Sequence, residues 1–207
     1  MRKALFMSCL AVAALVALVV SSAASASPAL TNAEGTLVPV GTEIKGVLIG
    51  NGVFTGGFNV TCSGGEGTGK VTENTGTSVK GEMAAGSVKF SGTGTGGDCT
   101  SALGAVAVTL NSKLCLSTNS KLGDQGEATG CGAPMTASIA VTGSVTCKYE
   151  MTKGVGVFST SPQDASVTVS EQEAKGESTN SFLCPSSGKL DFALSATTIT
   201  GGTLVAS

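Results

Sequence analysis

Apolar and polar residues alternate in short runs along most of the chain. Phe58, Val60 and Cys62 alternate with Asn59 and Thr61, Val106, Val108 and Leu110 with Ala107 and Thr109, and Leu190, Phe192, Leu194 and Ala196 with Asp191, Ala193 and Ser195. Val88 and Phe90 flank Lys89, Val167 and Val169 flank Thr168, and Ile139 and Val141 precede Val145, Cys147, Tyr149 and Met151. A period of two places such residues on one face of a strand, and β-branched side chains suit that half-buried surface. Val47 and Ile49, alternating with Gly46, Leu48 and Gly50, read as one more such face. The turn-forming groups Gly64-Gly65, Asn74-Thr75-Gly76, Gly96-Gly97-Asp98, Gly143-Ser144 and Ser161-Pro162 punctuate the runs. Glu171 to Lys175 has helix-friendly letters. It extends the alternation of Val167–Ser170 and stops at Gly176, so it reads as the polar end of a strand. Many short strands at regular intervals predict an all-β fold, an antiparallel β-sandwich or barrel.

The N-terminus departs from this pattern. Met1-Arg2-Lys3 is positive, Leu5 to Val20 is an apolar run, and Ala24-Ser25-Ala26 has the small-x-small arrangement of a cleavage site. This layout predicts a secretory signal peptide over 1–26 and a single β-rich domain over 27–207. The apolar run falls short of the roughly 18 residues of a spanning helix. No later segment can span either, so no membrane span is expected after cleavage. Cys9 lies within the run rather than at the cleavage point, which argues against a lipid-attachment cysteine.

Export changes the meaning of the cysteines. Cys62, Cys99, Cys115, Cys131, Cys147 and Cys184 remain after cleavage, and an even count in an exported chain predicts disulfides. Six cysteines allow 15 pairings, which sequence does not choose among. The simplest model uses the spacing: Cys62–Cys99 and Cys147–Cys184 each span 37 residues, and Cys115–Cys131 spans 16. No C-x(2–4)-C pair is present, so a structural zinc site is not expected. Residues 118–134 are polar and glycine-rich and form the best internal break. Val60-Thr61-Cys62 and Val145-Thr146-Cys147 lie on either side at an offset of 85, raising two similar halves, 42–118 and 135–207, as one organisation.

Composition removes several activities. The chain has no histidine and no tryptophan, and its one arginine is Arg2. Histidine triads, histidine metal sites and arginine clamps on phosphate are therefore excluded. The net charge is −2 and the lysines are scattered, so no nucleic-acid partner is expected. Gly64 to Lys70 fits seven positions of a phosphate-binding loop, but Val71 replaces the required hydroxyl residue, and a hairpin turn is the expectation. Gly92 to Gly97 contains a weak G-x-G-x-x-G and reads as a loop. Glu171 and Glu173 share a strand face but lack the aromatic platforms of a sugar cleft, and Asp124 and Glu127 lack a calcium-loop pattern. No catalytic residue, metal site or cofactor is predicted.

The strings Ser144-Val145-Thr146-Cys147, Ser159-Thr160-Ser161-Pro162 and Phe182-Leu183-Cys184-Pro185-Ser186-Ser187-Gly188-Lys189-Leu190 resemble those of small exported β-rich proteins of high-GC Gram-positive bacteria. The stretch from Thr61-Cys62-Ser63 to Val79-Lys80-Gly81 is similar in style, and the resemblance covers most of 45–207. It implies location and fold style and carries no activity. The expected role is structural or recognition work, without catalysis, at the cell envelope or in the medium, with an envelope or extracellular partner. A small apolar-ligand carrier is the first alternative and a carboxylate-only hydrolase the second. Sequence names no ligand, partner or oligomeric state.

Overall fold

A computed structural model describes residues 29–119, 125–158, 165–199 and 204–206. The predicted signal peptide, Asp124 and the Ser161-Pro162 turn lie outside the described residues.

The alternating runs form strands. In chain order these are β1 Leu30–Asn32, β2 Glu43–Thr55, β3 Val60–Cys62, β4 Gly64–Asn74, β5 Ser78–Met83, β6 Lys89–Ser91, β7 Cys99–Ser101 and β8 Gly104–Leu110. They continue as β9 Leu114–Asn119, β10 Gln125–Thr129, β11 Met135–Val141, β12 Thr146–Met151, β13 Gly154–Phe158, β14 Ser166–Gly176, β15 Ser187–Thr198 and β16 Leu204–Ala206. One 3₁₀ turn, Thr95–Gly97, is the sole helical element among the described residues, and it sits in the expected Gly92 to Gly97 loop. The fold is all-β, and its ladders are antiparallel.

Fourteen strands join one sheet that closes on itself. The long strands β14, β15 and β2 lie side by side as a trunk. From one half of this trunk the ladder runs β2–β4–β5–β9–β10–β13 and back to β14. From the other half it runs β2–β3–β7–β8–β11–β12 and back to β14. Short β6 stitches β4 to β8. Two circuits thus share a trunk, and of the two architectures expected, the barrel is the one formed. The trunk is irregular where the circuits meet. One extra residue on β14 bulges between Val169 and Gln172, where Glu171 takes a positive φ of 50°. On β2 the register slips between Ile49 and Val53, around Gly50 with φ of 69°. Bulges of this kind bend and twist a strand.

Two readings of the sequence need correction. Gly64–Lys70 is no hairpin turn but part of the 11-residue strand β4. Its glycines approach neighbouring strands closely: a Cβ on Gly69 would stand 2.6 Å from the Glu82 carbonyl oxygen. Val47 and Ile49 face outward, 41% and 46% exposed, while Gly46 and Leu48 face inward. The apolar face of that run was assigned by side-chain size, but ladder register put the glycine and leucine inside. The polar stretch 118–134 contains strand as well as loop, since β10 pairs with both β9 and β13.

The three disulfides are Cys62–Cys99, Cys115–Cys131 and Cys147–Cys184, the connectivity given by the simplest spacing model. The first links β3 to β7 inside the core. The third fastens β12 to the β14–β15 loop, and the second ties β9 to the segment after β10. The native protein should therefore take up no alkylating agent at these six cysteines without reductant, and six equivalents after reduction and unfolding. Replacing the half-buried pair Cys115 and Cys131 with alanine should lower unfolding stability by about 3 kcal/mol, measured by chemical denaturation.

Candidate functional site

The interior has two levels. In the circuit through β3, β7, β8, β11 and β12, Val60, Cys99, Val106, Cys147 and Tyr149 are at most 1% exposed, while Val108, Leu110, Ile139 and Met151 also border the interior space described below. Phe54 joins them, its ring centroid 4.9 Å from that of Tyr149. In the circuit through β4, β5, β9, β10 and β13, the inward positions are too small to fill the barrel. Gly46, Gly65, Gly67, Gly126, Gly154 and Gly156 all border the interior. A Cβ at Gly46 would have nothing nearer than a carbonyl oxygen at 4.0 Å, whereas one at Gly67 would stand 2.6 Å from Met83 Cε and one at Gly156 2.5 Å from Val167 Cγ2, so those two glycines make room for neighbouring side chains.

The result is an apolar chamber of about 290 Å³. Its walls include Leu48, Met83, Val88, Phe90, Leu116 and Phe192. Met83, Phe90 and Phe192 are partly buried and pack against the main core, and Leu116 is 38% exposed. A second small core is formed by Val38, Val71 and Ala165, with Leu30, Ile44 and Ala196 against it. The segment that carries Leu30 and Val38 is held by Asn74. Its Nδ2 donates to the carbonyls of Leu30 (2.7 Å) and Val38 (3.0 Å), and its Oδ1 accepts from the Leu30 N–H.

Charge stays on the outer surface. Lys45–Glu66, Lys80–Glu73 and Lys113–Glu82 pair at 2.6–2.7 Å. Hydrogen bonds from Lys45, Lys80 and Lys113 hold the three carboxyls below the usual glutamate range. Such exposed pairs add little to stability. Glu171 and Glu173 lie along an open outer groove, of about 550 Å³, that also passes Val155, Val157 and Thr168. The Glu171 N–H donates to Asp191 Oδ1, and its carboxylate meets Lys189 at 3.5 Å. Glu127 pairs with Lys153 at 2.7 Å. No group of three or more His, Cys, Asp or Glu is placed to hold a metal ion among the described residues. The six cysteines are structural cross-links rather than a reactive site.

Sequence reasoning missed the chamber's glycines. The signal was present as glycine at alternate positions inside strands, Gly65-x-Gly67 and Gly154-x-Gly156. In sequence Gly64-Gly65 reads as a turn, and Gly154-x-Gly156 lies outside the runs that predict strands. No family model, no curated protein and no solved structure matches the chain.

Tyr149 is the one tyrosine of the chain. Burial pushes its pKa up to about 12, because the phenolate would lose water without gaining a partner. The neutral phenol's contribution to stability is complete below the unfolded pKa, near 10, and is lost as pH rises through about 12. Phenolate absorbance of the native protein should titrate near that upper value and that of the unfolded protein near 10. Tyr149→Phe should remove this part of the alkaline stability loss.

Proposed function

We propose that the protein is a secreted, non-catalytic binding protein that carries a small apolar molecule inside its barrel. The observation that carries this reading is the apolar chamber walled by inward glycines. Unfilled apolar space is destabilising to a fold. One alanine or valine at positions such as Gly46 would begin to fill it, yet the space is kept. An apolar void excludes water and accepts apolar guests. The three disulfides are compatible with an extracellular protein, and no helix among the described residues is long and apolar enough to cross a membrane. In this reading residues 1–26 direct export.

The structural or recognition role retains one supporting observation. Phe182 is 94% exposed and Leu183 56%, at the tip of the β14–β15 loop beside the Cys147–Cys184 bridge. The Asn180 side chain also pins this loop to both backbone groups of Lys148. A rigid apolar tip suits contact with an envelope partner. If it serves that role, Phe182→Ser will release the protein from host cells without altering binding in the chamber.

Naphthalene is a suitable probe of the chamber. Saturating naphthalene should raise the Tm of the wild-type protein, since a ligand bound only by the folded state stabilises it by mass action. Gly46→Leu should weaken naphthalene at least tenfold while leaving the free protein as stable or more so. An unchanged wild-type Tm, with no reproducible bound mass in native mass spectrometry of protein from its host, would remove the carrier reading.

A further inference from the structure

The chamber's few polar atoms restrict what it can hold. Among the described residues, no lysine or arginine is in its walls. The acidic residues that border it, Glu66, Glu127 and Asp191, are engaged with Lys45, Lys153 and the Glu171 N–H. Gln172 points into the barrel, but its Oε1 accepts from the Val155 N–H and its Nε2 donates to the Glu173 carbonyl. Tyr149 is different. It borders the chamber, it is 1% exposed, and its hydroxyl has no hydrogen-bond partner.

We propose that the chamber selects uncharged, compact ligands bearing one hydrogen-bond acceptor, which the Tyr149 hydroxyl holds. This rests on the ligand-binding reading above. An anionic headgroup, such as that of a fatty acid, would be buried with no cation to meet it, a strongly unfavourable transfer. A carbonyl or ether oxygen brings the missing acceptor and relieves a buried donor that otherwise goes unpaired. The hydroxyl oxygen is covered by its neighbours, so the ligand reaches it by displacing a side chain. Met135 and Met151 face each other across the β11–β12 ladder, two residues along from Tyr149, and both border the chamber. Their unbranched thioether chains re-pack more readily than branched residues.

Three probes of one cage shape test this: adamantane, adamantanone and adamantane carboxylate. Binding is read by Tm shift and, in the wild type, by the fluorescence of Tyr149, since the chain has no tryptophan. Both neutral cages should bind the wild-type protein and the carboxylate should not. Adamantanone should bind about tenfold more tightly than adamantane, the worth of one modest hydrogen bond. Tyr149→Phe should abolish that preference and leave adamantane binding unchanged. It should fold as well as the wild type, because it removes only an unpaired hydroxyl. Equal binding of the carboxylate, or a ketone preference that survives Tyr149→Phe, overturns the selection rule and leaves the chamber intact as a binding site. Failure of all three cages overturns the rule together with the ligand-binding reading.

Discussion

Closure of an antiparallel sheet is the constraint on which the structure depends. A closed sheet has no free edge, but it encloses a volume that its own alternate side chains must fill or leave empty. Here the closure is made twice on one trunk. Strands β14, β15 and β2 are long enough to serve both circuits, and the irregularities near Glu171 and Gly50 fall where the circuits diverge. The bulge on β14 also shifts the parity of the strand. Val167 and Val169 border the interior before it, and Gln172 and Ala174 after it.

The two circuits contribute differently to the interior. One supplies aromatic, aliphatic and cystine side chains, most of them fully buried. The other presents several glycines among its inward side chains, and the chamber is walled by both. Unfilled apolar volume is destabilising, and three cross-links closing loops of 16 to 37 residues contribute about 3–4 kcal/mol each in the chain-entropy account. Two of the three, Cys62–Cys99 and Cys147–Cys184, draw on cysteines of the main core.

Much of the fold was legible in the alternation. The inward columns Val106-Val108-Leu110, Cys147-Tyr149-Met151 and Leu190-Phe192-Leu194 follow the period of two seen in sequence, because a strand has only two faces. The reading failed where glycine replaced a side chain. At Val47 and Ile49 the β-branched pair reads as the buried face, whereas the ladder register turns Leu48 and Gly46 inward. At Gly64–Lys70 a glycine-rich string looked like a turn, although close approach of Gly69 to the Glu82 backbone requires glycine within a strand.

By itself the sequence determined the strand class and the exclusion of histidine and arginine chemistry, since these depend only on which side chains exist and how they alternate. Its even cysteine spacing also pointed to the simplest pairing. Tertiary structure alone decided that the sheet closes, that the trunk serves two circuits, and that the glycines of β2, β4, β10 and β13 converge on one space beside an unpartnered Tyr149 hydroxyl. Those facts arise from ladders between strands far apart in the chain, such as β2 with β15, and an empty volume belongs to no residue until its walls are brought together.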